Sequence, residues 1–230
     1  MKKGRNVRAD IISRRISREL QYDFTTMLYL DIIFPQISLI QPAPAQPILN
    51  RYYRGQAEAF YKYAQRVLFK NAVEEYIQSQ SNDFPFRPYG AAMDYKVALN
   101  GKCHLSTYTD RYEYTGGAHG STRRESAAFE LRTGRKLTMR SLFPQGEDYR
   151  RLILENAIKL ADAENAKNPG IYFDNYQSLM VKYFSPESFI LTENGVAIYY
   201  QQYEIAPYST GIVTFEIPYT VLGIEIGCGK

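Results

Sequence analysis

The sequence predicts an α+β fold with a mostly antiparallel sheet, a long helix in the N-terminal half and a second helix packed on it. Three observations carry this. A single apolar stripe recurs every three to four residues from Leu49 to Tyr76. Alternating runs around Asn100-Gly101 and Asn194-Gly195 mark two hairpins. The order extended, helix, hairpin, strand, helix, hairpin, strand is that of an α+β domain.

In chain order, residues 29–40 read as an extended segment broken by Pro35, and the prolines of residues 41–47 form a link. Leu49, Tyr53, Ala57, Phe60, Ala64, Val67 or Leu68, and Tyr76 then line one face of the long helix. Serines, Asn82 and Pro85 stop it. Met93, Tyr95 and Val97 alternate with charged residues ahead of Asn100-Gly101, and Cys103, Leu105 and Thr107 follow. Parity favours a three-residue loop, Leu99-Asn100-Gly101, that pairs Val97 with Cys103 and turns His104 away from the apolar face. A strand over residues 126–131 precedes the second helix over residues 147–163, whose first turn holds Glu147 and Asp148. In the final hairpin a two-residue Asn194-Gly195 loop would pair Leu191 with Ile198. Val213, Phe215 and Ile217 form an inward-facing last strand.

With 230 residues and 45% hydrophobic content, the chain is long enough for one large domain or two intimately packed halves. The net charge of +4 is uneven: residues 1–19 carry +5, leaving −1 on the rest. Residues 1–24 therefore read as a basic, flexible leader. The body lacks a basic groove, so no nucleic-acid partner is expected. The apolar residues Ile11 and Ile12 run straight into Ser13-Arg14-Arg15, so no signal peptide is read and the chain as written is expected in the cytoplasm. The apolar run 27–34 is too short, and too interrupted by Asp31, to span a membrane. Cys103 and Cys228 permit one bridge, with free thiols as the plainer reading.

Two loops stand out. The motif Tyr-Thr-Gly-Gly-Ala-His-Gly at residues 114–120 sets one of the chain's two histidines among glycines, a backbone shaped for positive φ or close approach. The motif Tyr-Glu-Ile-Ala-Pro-Tyr-Ser-Thr-Gly at residues 203–211 also lies between strand-like runs. Tyr114, Gly116, Gly117, His119, Ser121, Glu204, Pro207 and Tyr208 are the candidate binding residues. Competing readings make His119 a turn-stabilising group and Glu204 an acceptor of backbone hydrogen bonds. A zinc site has too few ligands, so no metal and no cofactor is expected. A hydrolase would combine His119 with Glu204, Ser121 or Ser209, but no nucleophile-elbow pattern or complete catalytic set is visible, and no catalytic residue is assigned. The chain has 21 tyrosines and no tryptophan, and most of the tyrosines fall on core stripes.

Phe-Pro-Gln-Ile-Ser at 34–38, the two loop motifs, Leu-Arg-Thr-Gly-Arg-Lys-Leu at 131–137, Ser-Leu-Phe at 141–143, residues 189–195 and Ile-Pro-Tyr at 217–219 together resemble the paired bacterial domains DUF4163 and DUF3298. The resemblance runs over residues 25–222. It implies a DUF4163-like half at 25–112 and a DUF3298-like half at 113–230, packed as one unit. It also implies an extracytoplasmic setting, as in lysozyme-sensing anti-sigma factors and peptidoglycan deacetylases, where such domains recognise a ligand and do not catalyse. Neither a signal nor a separate deacetylase domain is expected in the sequence as written, a departure from that pattern. Its expected function is non-catalytic recognition of a cell-envelope ligand, peptidoglycan or a lysozyme-like protein, through loops 114–121 and 203–211. The alternatives are a hydrolase built on His119 and an intracellular protein that binds partners through its basic leader.

Overall fold

The structure, a computed structural model, describes residues 7–40, 43–82 and 84–228. Strand β1 (Asp10–Tyr22) turns through Asp23 and Phe24, both at positive φ, into β2 (Thr25–Ser38). Much of the segment expected to be a flexible leader is thus a long edge strand, and its first six residues lie outside the described ones. The physical reason is a thin apolar thread: Ile16 and Leu20 pair with Ile32 and Leu28 and pack on the cluster beneath them. The intervening arginines are tolerated because an edge strand leaves them in water, where Arg15 grips both oxygens of Asp31.

The long helix runs as α1 (Ala45–Tyr63), a π-helical turn (Ala64–Leu68) and α2 (Phe69–Asn82). Its buried stripe is Leu49, Tyr53, Ala57, Phe60, Ala64, Leu68 and Ala72. From Phe60 onward the spacing is four, which would drift around an α-helix of 3.6 residues per turn, and the wider π turn absorbs that drift. Leu68 is therefore buried and Val67 exposed. This helical crossover makes β2 and β3 (Tyr89–Gly101) parallel, so the five-stranded sheet β1-β2-β3-β4-β5 is mixed. β4 (His104–Tyr114) and β5 (Ser121–Glu130) complete it.

The β3–β4 turn departs from the expected one. Gly101 pairs with His104, Val97 with Thr107, and a bulge at Ala98 restores the pattern. The two-residue turn is Lys102-Cys103, both residues at positive φ. Cys103 is bridged to Cys228, which fixes the turn at the cysteine and replaces the free thiols expected from sequence. His104 is consequently buried, with Nδ1 2.7 Å from the Lys102 carbonyl, and its pKa is lowered chiefly by desolvation.

After a 3₁₀ turn at Met139–Leu142 come α3 (Tyr149–Lys167), the short unanticipated α4 (Tyr176–Tyr183), and a second sheet of β6 (Phe189–Leu191), β7 (Gly195–Tyr200) and β8 (Val213–Pro218). Leu191 pairs with Val196, not with Ile198, because the two-residue turn falls one residue earlier, at Glu193-Asn194: the Thr192 amide donates to the Gly195 carbonyl at 3.0 Å, and Thr192 Oγ1 accepts from the Asn194 and Gly195 amides. A helix α5 (Tyr219–Leu222) follows β8. Ile190, Ala197 and Tyr199 face Ala98 and Tyr108 of the large sheet. Val196, Ile198 and Tyr200 pack with Ile153, Ala157 and Met180 of α3 and α4. The result is four layers: long helix, large sheet, small sheet, helix pair.

Candidate functional site

Both singled-out loops lie where β5 meets the end of β7. Their supports come from different places. In the first loop, Gly116 has φ +81°, and a Cβ there would lie 2.9 Å from Glu75 Oε1. Gly120 is buried against Tyr112, whose ring would be 2.4 Å from an added Cβ. Gly116 is favoured by its left-handed φ, and a side chain at Gly120 would have to displace the Tyr112 ring. Gly117 faces open surroundings, its Cβ position lying 4.0 Å from the His119 carbonyl oxygen. Tyr114 ends β4 opposite Gly90, and Ser121 opens β5 opposite Glu113.

The second loop is held by side-chain amides. Gln202 Oε1 accepts from the Thr122 amide at 2.7 Å. Gln201 accepts from the Arg124 amide at 2.9 Å and donates to its carbonyl at 2.8 Å. The outer edge of β5 is thereby bonded as another strand would bond it. Sequence reasoning missed both glutamines; their one signal is adjacent amides directly after a strand-like run. Glu204 Oε2 accepts from the Gln201 amide at 2.7 Å, closing the turn on itself. Tyr203 sits at φ +65° and is exposed. Pro207 leads into the 3₁₀ turn Tyr208–Thr210, which ends at Gly211 with φ +74°.

The loops meet through rings. His119 stacks on Tyr208 with centroids 3.9 Å apart and planes 20° apart, and Tyr203 lies 5.8 Å from Tyr208. His119 Nδ1 donates to the Gly120 carbonyl at 3.0 Å, which fixes the orientation of an exposed ring. Behind the loops, Arg124 makes a bidentate pair with Asp110, at 2.8 and 2.7 Å, and lies 4.0 Å from the Tyr108 ring centroid. The arrangement brings His119 and Tyr208 together, with Pro207 directly ahead of Tyr208 in the chain. It turns Glu204 inward and leaves Tyr114 and Ser121 at the base of the first loop. Among the described residues, no group of three or more His, Cys, Asp or Glu could hold a metal ion. No helix there is long and apolar enough to cross a membrane.

Residues 23–122, the part likened above to DUF4163, match the family model described as Deacetylase PdaC. Residues 140–220 match DUF3298, a protein family of unknown function. A crystal structure of a DUF3298-family member from Bacteroides fragilis NCTC 9343 aligns with a TM-score of 0.72 at 21% identity, covering 96% of this chain and 94% of that one. A DUF3298-family protein from Pseudomonas aeruginosa PAO1 aligns at 0.60 and 19% identity, covering 93% of each. A search of the curated proteins returned no match. These likenesses to solved structures carry the fold alone. The family matches liken residues 23–122 to a PdaC-type domain and residues 140–220 to a DUF3298 domain.

Proposed function

We propose that the chain is a non-catalytic recognition module for a bacterial cell-envelope ligand, a peptidoglycan-type glycan or a lysozyme-like protein, and that it works outside the cytoplasm. The observation that carries the reading is the His119–Tyr208 stack, which joins the two loops into one aromatic surface on a rigid base. Tyrosine and histidine rings offer flat apolar area with polar edges at low entropic cost, which suits either a sugar face or a protein surface. The inward carboxylate of Glu204 supports a positioning role over a chemical one, since its Oε2 is already engaged by backbone. The Cys103–Cys228 bridge supports an oxidising compartment, where disulfides persist.

The test is capture of the protein by insoluble peptidoglycan and by immobilised lysozyme, comparing wild type with His119→Ala/Tyr208→Ala. Binding by the wild type that the folded double variant loses is the expected result. Capture by neither material, or equal capture of both proteins, rejects the proposal.

A further inference from the structure

A second site lies away from the loop surface, where the two matched halves meet. Residues 123–139 fall between the two family matches, and they supply Ser126, Lys136, Leu137 and Met139 to a cavity of about 390 Å³. Its floor is apolar and fixed: Ala127, Ala128, Leu137, Met139 and Phe189 are each no more than 5% exposed. A polar chamber of about 340 Å³ adjoins it and shares Ser126, Lys136 and Glu187. Tyr52, Arg123 and Tyr199 line that chamber.

The charges around this double chamber do not balance. Arg124 is spent on Asp110, and Glu125 on Arg111 and Gln56. Arg140 is held by the carbonyls of Pro144 and Glu147 and lies over Tyr149, so its charge meets dipoles and a ring face. Among the described residues, neither Arg123 nor Lys136 has an ion-pair partner; Lys136 Nζ lies over the Tyr52 ring, 5.3 Å from its centroid. Against these cations the lining sets one carboxylate without an ion pair among the described residues, that of Glu187. Pockets of this size at domain junctions, apolar with a few convergent polar groups, are where small ligands bind.

We propose that this junction cleft binds a small amphipathic anion, its carboxylate held by Arg123 and Lys136 in the polar chamber and its aliphatic part in the chamber floored by Leu137, Met139 and Phe189. Two chambers of opposite character side by side exclude a wholly polar ligand and a wholly apolar one as best fit. At the boundary the Ser126 hydroxyl is already engaged, donating to the Phe189 carbonyl at 2.6 Å and lying 3.1 Å from the Tyr199 hydroxyl, so the ligand's charge falls to Arg123 and Lys136.

The experiment is calorimetric titration of the full chain with decanoate, with octyl glucoside (an uncharged head on a similar tail), and with acetate (a head without a tail), alongside amide chemical-shift mapping. Saturable one-to-one binding of decanoate is expected, at least about tenfold tighter than either control, with shifts centred on residues 126–140 and 185–189. The variant Arg123→Glu/Lys136→Glu, at two exposed positions, should weaken decanoate by about tenfold or more and leave octyl glucoside unchanged. Absence of saturable decanoate binding, equal affinity for octyl glucoside, indifference to the double variant, or shifts centred on loop 114–121 would each overturn the proposal.

Discussion

Tyr208 lies flat against His119, and this ring pair is the direct side-chain contact that ties the second loop to the first. The remaining ties, through Gln201 and Gln202, reach β5 and not the glycine loop. Loop-to-loop geometry therefore depends on this stack, while the position of the second loop depends on the Gln201 and Gln202 side chains bonded to the β5 backbone.

Replacing Tyr208 with Ala should separate binding from stability. The lost stack is worth about 0.5–1.5 kcal/mol beyond area burial, and for a chain of this size each kcal/mol lowers Tm by about 2–4 °C. A drop of a few degrees with loss of envelope capture is the expected pattern. A much larger drop in calorimetry would make Tyr208 a core residue and remove it from the surface described here.

Reducing the bridge, or Cys103→Ser, should cost about 2–5 kcal/mol, because the closed loop spans 125 residues and the unfolded chain regains its freedom. Urea unfolding with and without reductant measures this. Equal midpoints in the two conditions would mean that the cross-link does not constrain the unfolded ensemble.

Gly195→Ala is expected to destabilise although the change is one methyl group. The added Cβ would lie 2.2 Å from the Ile217 carbonyl oxygen, and that oxygen belongs to the neighbouring strand. Overpacking of this kind costs about 1–3 kcal/mol. Gly146, with open space around its Cβ position, does not meet that clash, though its φ of +88° adds strain of its own. Melting curves of Gly195→Ala showing no loss would mean that the small sheet opens freely.

Stability should fall at both extremes of pH, for different reasons. Burial together with Glu125 pushes Tyr52 up to about 12, and burial also raises Tyr53 and Tyr200. The folded state then keeps phenol protons that the unfolded state releases, so stability declines as pH rises from about 10 towards 12. His104 shifts the other way: desolvation lowers it, the unfolded state takes up the proton first, and stability declines as pH falls below about 6.5. Urea midpoints across pH, with phenolate absorbance followed in parallel, check both arms. Midpoints that hold steady above about pH 10 would contradict the alkaline arm.

The long helix was legible because Leu49, Tyr53, Ala57, Phe60 and Ala64 repeat at helical spacing and all are buried. The last strand was legible for the same kind of reason, with Val213, Phe215 and Ile217 alternating inward. β1 was not, since its apolar residues are diluted by arginines that only an edge position permits. The β3–β4 register was missed because Lys102 and Cys103 take left-handed conformations that residue type does not announce, next to an Asn-Gly pair that does suggest a turn. At the candidate site, the glycine-histidine and proline-tyrosine loops were readable as unusual sequence, and the structure brings His119 and Tyr208 together. The anchoring glutamines and the junction cleft were not readable, because hydrogen bonds and linings assembled from distant segments leave no local pattern.

The Cys103–Cys228 bridge also changes how the molecule would carry a load. Tension applied between β1 and Cys228 passes from β3 through the sulfur bond directly to Cys228, and bypasses everything between. The small sheet, α3, α4 and both singled-out loops lie within that bypassed stretch. Pulling would strip the long helix, β1 and β2 first, and the surface that carries His119 and Tyr208 would keep its shape while the chain around it was stretched.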